Sequence, residues 1–231
     1  MNDPEYDILS APTRVGRLED LPGAAQRDEF LRLLPKLRDI ANRDRNFAVA
    51  FASSIPGEGT TTVAAQFAIA AAQSGANDRV ALVDGHLDNP ALHELLGVDA
   101  NPGVFEVCNE GVPIRQAIQG TELENLDLLS AGQVSSGSGY LNTLRFREVI
   151  AELSREYGLV VIDCPPLASG HGSTHLPEEE AMTVLVVEAS STNREVIEGA
   201  RHELRLMGAR TVGVVLNKRR FFVPSFVYRR L

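Results

Sequence analysis

Short apolar runs alternate with amphipathic stretches along most of the chain. The runs are Phe47–Ala52, Val80–Val83, Leu126–Leu129, Leu159–Ile162, Met182–Val187 and Val212–Leu216. Each is continuously apolar rather than alternating, which is the pattern of a strand covered on both faces in a parallel sheet. Between them lie helical patterns at Thr61–Ser74, Leu144–Tyr157 and Asn193–Met207, followed by Gly75, Gly158 and Gly208 where helix-terminating glycines belong. An earlier helix is predicted from Gln26 to Arg43, where Phe30, Leu33, Leu34, Leu37 and Ile40 recur at helical spacing; Pro35 is expected to kink or interrupt it. This alternation predicts a doubly wound α/β fold, a mostly parallel sheet with helices on both faces, and ligands at the carboxyl ends of the strands.

Outside that core the pattern lapses. Residues 1–24 are polar, carry three prolines and read as a mobile arm. Ser135–Gly139 reads as a flexible Ser/Gly loop. Residues 25–219 form the domain. Residues 220–231 are a basic–aromatic tail, with Arg219, Arg220, Arg229 and Arg230 flanking Phe221, Phe222 and Phe226. That tail suits either docking to an anionic membrane or membrane partner, or packing on the domain.

The formal charge of −9 argues against non-specific nucleic-acid binding, which needs clustered cations. The acidic start, Met-Asn-Asp-Pro-Glu, lacks the apolar core of a signal peptide, and no run approaches the ~20 apolar residues of a membrane span, so a cytoplasmic protein is expected. Cys108 and Cys164 read as free thiols of a reducing compartment. Lys36 and Lys218 are the only lysines.

The chemistry gathers at strand ends. After the first apolar run comes Ala52-Ser-Ser-Ile-Pro-Gly-Glu-Gly-Thr-Thr-Thr62, then a helix. Strand, glycine-rich turn and helix make a P-loop context, in which backbone N–H groups and the helix N-terminus cradle phosphate. The candidate nucleotide-binding residues are Gly57, Glu58, Gly59, Thr60, Thr61 and Thr62. The usual lysine position is occupied by Thr60. A charge-assisted phosphate contact contributes roughly 1.5–3 kcal/mol, so its loss would weaken nucleotide binding about 10–100-fold. Asp84 ends the second run and Asp163 the fourth, where carboxylates can hold Mg²⁺. Thr61, Asp84 and Asp163 are the candidate metal ligands, and Asp84 and Asp163 the candidate catalytic groups. His86, His171 and His175 are expected at the same sheet edge but lack the fixed spacing of a transition-metal site; solvated histidines are expected. Glu178–Glu180 reads as a solvated turn and Cys164 as a packed thiol.

The order Pro-Gly-Glu-Gly, Val-Asp-x-x-Leu-x-x-Pro-x-Leu-His, Val-Val-Ile-Asp-x-Pro-Pro and Gly-Val-Val-Leu-Asn, between Glu29 and Asn217, resembles the bacterial tyrosine kinases of capsule and exopolysaccharide synthesis. These belong to the deviant-Walker P-loop class of the ParA and MinD ATPases. The resemblance implies a P-loop NTPase-like fold, ATP or ADP with Mg²⁺, and Asn217 reading the base. It also implies homo-oligomeric assembly, a membrane polysaccharide co-polymerase as partner in trans, and a place at the inner face of the cell membrane. Several positions depart from the family. Thr60 replaces the lysine, His86 the second acid, and Asp88 and Asn89 two arginines; Pro35 interrupts the assembly motif begun by Glu29 and Arg32; and Tyr228 is the only tyrosine after Tyr157. These departures point to a tyrosine-kinase-like protein that no longer transfers phosphoryl groups, a pseudokinase with vestigial carboxylates. The alternatives are an active tyrosine autokinase or weak ATPase of the same pathway, and a positioning ATPase of the ParA and MinD kind.

Overall fold

The computed structural model describes residues 10–11, 24–41, 46–76, 79–133, 141–169, 177, 180–189 and 191–218. Most of the expected N-terminal arm, the Ser135–Gly139 loop, His171, His175, Glu178, Glu179 and the 220–231 tail lie outside the described residues.

Eight strands form one sheet in the order β1-β8-β7-β2-β6-β3-β5-β4. They are β1 (Ser10–Ala11), β2 (Phe47–Ser53), β3 (Val80–Asp84), β4 (Ile118–Gly120), β5 (Leu126–Leu129), β6 (Leu159–Asp163), β7 (Met182–Glu188) and β8 (Arg210–Asn217). All neighbours pair in parallel except β4, which runs antiparallel to β5 at the edge. The six apolar runs are the six inner strands. The two short edge strands were not legible as runs. Ser10–Ala11, inside the expected arm, pair with Leu216 and Asn217.

Two hydrophobic layers follow from the period-two alternation of strand side chains. On one face Val49, Phe51, Leu82 and Val161 pack under α1 (Ala24–Ile40) and α2 (Thr60–Gln73). On the other Ala50, Val83, Ile162 and Leu185 pack under α5 (Thr143–Glu156) and α6 (Arg194–Leu206). Between β3 and β4 lie the short α3 (Leu92–Leu96), a π-helical turn at Glu106–Glu110 and α4 (Ile114–Ala117).

Contrary to expectation, α1 is not interrupted at Pro35. Proline removes one intrahelical bond, but Phe30, Leu33, Leu34 and Leu37 are all buried, and Phe30 meets Phe67 of α2 edge-on at 6.5 Å. Burying four large side chains, at roughly 1.5–3 kcal/mol each, outweighs the lost bond. Gly75 and Gly208 take the left-handed backbone expected at helix ends. Gly158 does not: α5 closes on Tyr157 in an extended conformation, and the Gly158 N–H donates to the Arg79 carbonyl at 3.0 Å, leading directly into β6.

Strand β2 lies between β6 and β7. The chain runs from β2 through α2 to β3 on one side, and later passes from β6 across β2 to β7 on the other. A crevice therefore opens at the carboxyl end of β2, the usual ligand position in a doubly wound sheet.

Candidate functional site

The glycine-rich loop fills that crevice. Gly57 and Gly59 have φ of +87° and +90°, and α2 starts at Thr60. Gly59 admits no side chain on two counts. Its backbone is left-handed, and a Cβ there would stand 2.2 Å from Asn217 Nδ2. The turn is closed by the Glu58 N–H on the Ile55 carbonyl, while among the described residues the Gly59 N–H meets no acceptor. Free backbone donors at a helix N-terminus are what a phosphate cradle requires.

Glu58 is the loop's internal brace. Its carboxylate is almost fully buried and accepts from four donors: Ser54 N–H at 2.7 Å, Ile55 N–H at 3.0 Å, Glu188 N–H at 3.1 Å and Thr192 Oγ1 at 2.5 Å. A carboxylate so engaged supports the loop from within and does not face a ligand. Asn217, expected from the resemblance to read the base, also touches the loop. It is buried, its Nδ2 donates to the Glu58 carbonyl at 2.7 Å, and its Oδ1 accepts from Lys218 N–H at 2.8 Å. Asn217 holds the loop's backbone.

Asp84 and Asp163 come together across the sheet. They are register partners at the ends of β3 and β6, and both are completely buried. Asp84 accepts from His86 N–H at 3.2 Å and Leu92 N–H at 3.3 Å. These bonds only partly offset the effect of burial, which pushes its carboxyl up to about 6. Among the described residues no donor meets either oxygen of Asp163 in good hydrogen-bond geometry, and only the Thr61 hydroxyl stands close by. Burial first, and then the Asp84 charge, raise its carboxyl well above the ordinary 3.8, while the Thr61 hydroxyl beside it offsets this in part. Two buried carboxylates beside a threonine at the start of a P-loop helix are a donor set of hard oxygens suited to a divalent cation. The residues present fit Mg²⁺, which Thr61, Asp84 and Asp163 would hold.

Thr60, in the lysine position, is buried and uncharged. His86 is half-buried, and burial lowers its pKa against the pull of Asp88, so it stands neutral at pH 7. Among the described residues no cluster of three His, Cys, Asp or Glu could hold a metal ion. Cys108 and Cys164 are both free and buried, and burial raises the Cys164 thiol far from the reactive range. A packed thiol, as expected from sequence, is what the structure holds.

One contact was missed. Lys218, immediately after β8, places Nζ 2.5 Å from the Gly57 carbonyl and 2.9 Å from Glu188 Oε2. Its position next to a strand end, in a chain with two lysines, was the available signal.

No family model matches the chain. It is 27% identical over 181 residues to the tyrosine-protein kinase YwqD of Bacillus subtilis (strain 168), covering 78% of this chain and 76% of that one. It is also 27% identical over 180 residues to the tyrosine-protein kinase CpsD of Streptococcus pneumoniae serotype 4, covering 76% and 77%. Among solved structures, the kinase domain of the Escherichia coli tyrosine kinase ETK superposes with a TM-score of 0.75 at 19% identity, over 97% of this chain and 98% of that one. The septum site-determining protein MinD of Pyrococcus horikoshii, complexed with Mg-ADP, superposes with a TM-score of 0.63 at 25% identity, over 80% and 76%. Among the described residues no helix is long and apolar enough to cross a membrane. By sequence and by fold alike, the chain is a relative of the bacterial tyrosine-protein kinases, built on a P-loop NTPase-like frame.

Proposed function

We propose that this chain is a nucleotide-binding pseudokinase of capsule or exopolysaccharide synthesis, which responds to Mg-ATP or Mg-ADP without transferring phosphate to tyrosine. The observation that carries this reading is the contrast within one crevice. The left-handed glycine turn, the unpartnered Gly59 N–H and the buried Asp84–Asp163 pair are assembled, while Thr60 offers no charge where a lysine would neutralise the transferring phosphoryl group. Backbone donors bind ground-state phosphate adequately. Phosphoryl transfer also needs fixed positive charge where negative charge grows in the transition state. Asp88 and Asn89, where the resemblance would place two arginines, withdraw further positive charge from the same edge.

In this reading Gly57, Gly59, Thr60, Thr61 and Thr62 meet the phosphates, and Thr61, Asp84 and Asp163 hold Mg²⁺. Bound Mg²⁺ would neutralise phosphate charge and relieve the repulsion between the two carboxylates. The same resemblance supplies a membrane polysaccharide co-polymerase as the partner in trans, a place at the cytoplasmic face of the membrane, and assembly with further copies of the chain.

Calorimetric titration with Mg-ATP, followed by anti-phosphotyrosine blotting and intact mass after incubation, tests the function. Saturable binding with no added phosphate is the expected result. Phosphate on Tyr228 or another tyrosine, lost in Asp163→Ala, overturns the pseudokinase reading in favour of an active autokinase. Hydrolysis without phosphotyrosine identifies a weak ATPase.

A further inference from the structure

The end of β8 grips the outside of the phosphate loop at two successive peptides. Asn217 Nδ2 donates to the Glu58 carbonyl at 2.7 Å, and Lys218 Nζ donates to the Gly57 carbonyl at 2.5 Å. Lys218 adopts a left-handed backbone, φ +56°, unfavourable for a residue with a Cβ, and its N–H is held by Asn217 Oδ1 at 2.8 Å. The side chain is thus aimed by the backbone. Among the described residues its anionic partner is Glu188, at 2.9 Å, and both side chains are under a third exposed.

A trans peptide is planar, so its C=O and the N–H of the next residue point in opposite directions. Holding the Gly57 and Glu58 carbonyls toward β8 therefore fixes both peptides of the turn: the Glu58 N–H closes it on the Ile55 carbonyl, and the Gly59 N–H, on the side away from β8, meets no acceptor among the described residues. A cation on the Gly57 carbonyl also polarises that peptide and strengthens the Glu58 N–H as a donor. Lys218 therefore acts on the cradle in two ways, by fixing its shape and by placing charge one peptide away.

We propose that Lys218 is this chain's phosphate-loop lysine, supplied from the end of β8 instead of from within the loop: a positioning residue for the polyphosphate of a nucleoside diphosphate or triphosphate. It compensates in part for Thr60 and explains how a loop without its own cation stays in a phosphate-ready form. The inference rests on the nucleotide reading above and adds the residue that tunes the site.

Titration of the full chain with Mg-ADP and with AMP, in wild type and three variants, tests it. Lys218→Met is expected to weaken Mg-ADP binding about tenfold, the order expected for one charge-assisted contact, and AMP binding less than threefold. Lys218→Arg should stay within about threefold of wild type for both. Glu188→Gln, which removes the competing anion and leaves the Glu188 N–H bond to Glu58 intact, should tighten Mg-ADP about two- to fivefold. Thermal melts of each variant serve as the folding control. Wild type that binds Mg-ADP while Lys218→Met binds it equally well overturns this inference alone. Equal losses for Mg-ADP and AMP reduce Lys218 to a structural contact and also overturn it. If Lys218→Met does not fold, an unchanged or weaker Mg-ADP affinity in Glu188→Gln has the same force. Wild type that takes no nucleotide overturns the nucleotide reading, and this inference with it.

Discussion

Replacing Asp163 by asparagine should make the protein more stable, and increasingly so as pH rises. Asp163 is completely buried, among the described residues only the Thr61 hydroxyl stands near its oxygens, and its register partner is the equally buried Asp84. Burial and the neighbouring charge raise its carboxyl well above 3.8. In the unfolded chain the same group ionises near pH 3.9. Between that value and the raised native one the folded protein binds the extra proton, so folding stability falls as pH rises, by about 1.4 kcal/mol per unit. The penalty is absent at low pH and grows until the native carboxyl finally ionises. Asparagine has nearly the same shape and no proton to lose. The gain from Asp163→Asn should therefore be small near pH 4 and larger at pH 7 than at pH 5. Urea unfolding followed by far-ultraviolet circular dichroism measures it, since the chain has no tryptophan. Millimolar Mg²⁺ should stabilise the wild type by linkage and have little effect on the variant. A variant less stable than wild type at pH 7, or a gain that is equal at the two pH values, would refute the idea that this is an unrelieved buried charge site.

Thr60→Lys should strengthen Mg-ADP binding about 10–100-fold in titration calorimetry, because the cradle of Gly57, Gly59 and Thr61 is in place to use the charge; unchanged affinity in a folded variant would mean that the loop's outer brace already saturates the effect. Gly59→Ala should destabilise by about 2–5 kcal/mol, since the new Cβ meets Asn217 Nδ2 at 2.2 Å on a left-handed backbone. Gly57→Ala, which has the same hand but no neighbour within 4 Å, should cost only about 1–2 kcal/mol. Denaturant midpoints that do not separate the two alanines would show that Asn217 yields to the added methyl group.

The local pattern of the chain was enough for the fold class. Strands β2, β3, β5, β6, β7 and β8 declare themselves because a strand covered on both faces must be apolar at every position, helices α5 and α6 because one stripe must be, and α2 because it is buried on nearly every side from Val63 to Ala72. The glycine loop and the two terminal aspartates were legible for a related reason: each sits at a strand end, where the backbone must turn and a polar side chain can leave the core. What the sequence could not decide was everything that depends on strand order. Asp84 and Asp163 become partners only because β3 lies beside β6. Glu58 becomes a brace only because β7 delivers the Glu188 amide and Thr192 to it, 130 and 134 residues along the chain. Asn217 and Lys218 reach the loop across 159 and 161 residues. Contacts at such separation leave no trace in local periodicity, because periodicity records which face of an element is buried and not which element buries it. Pro35 shows the converse. Local propensity argued for a kinked or interrupted helix, and the tertiary burial of Phe30, Leu33, Leu34 and Leu37 against the sheet's covering layer carried the helix through without interruption.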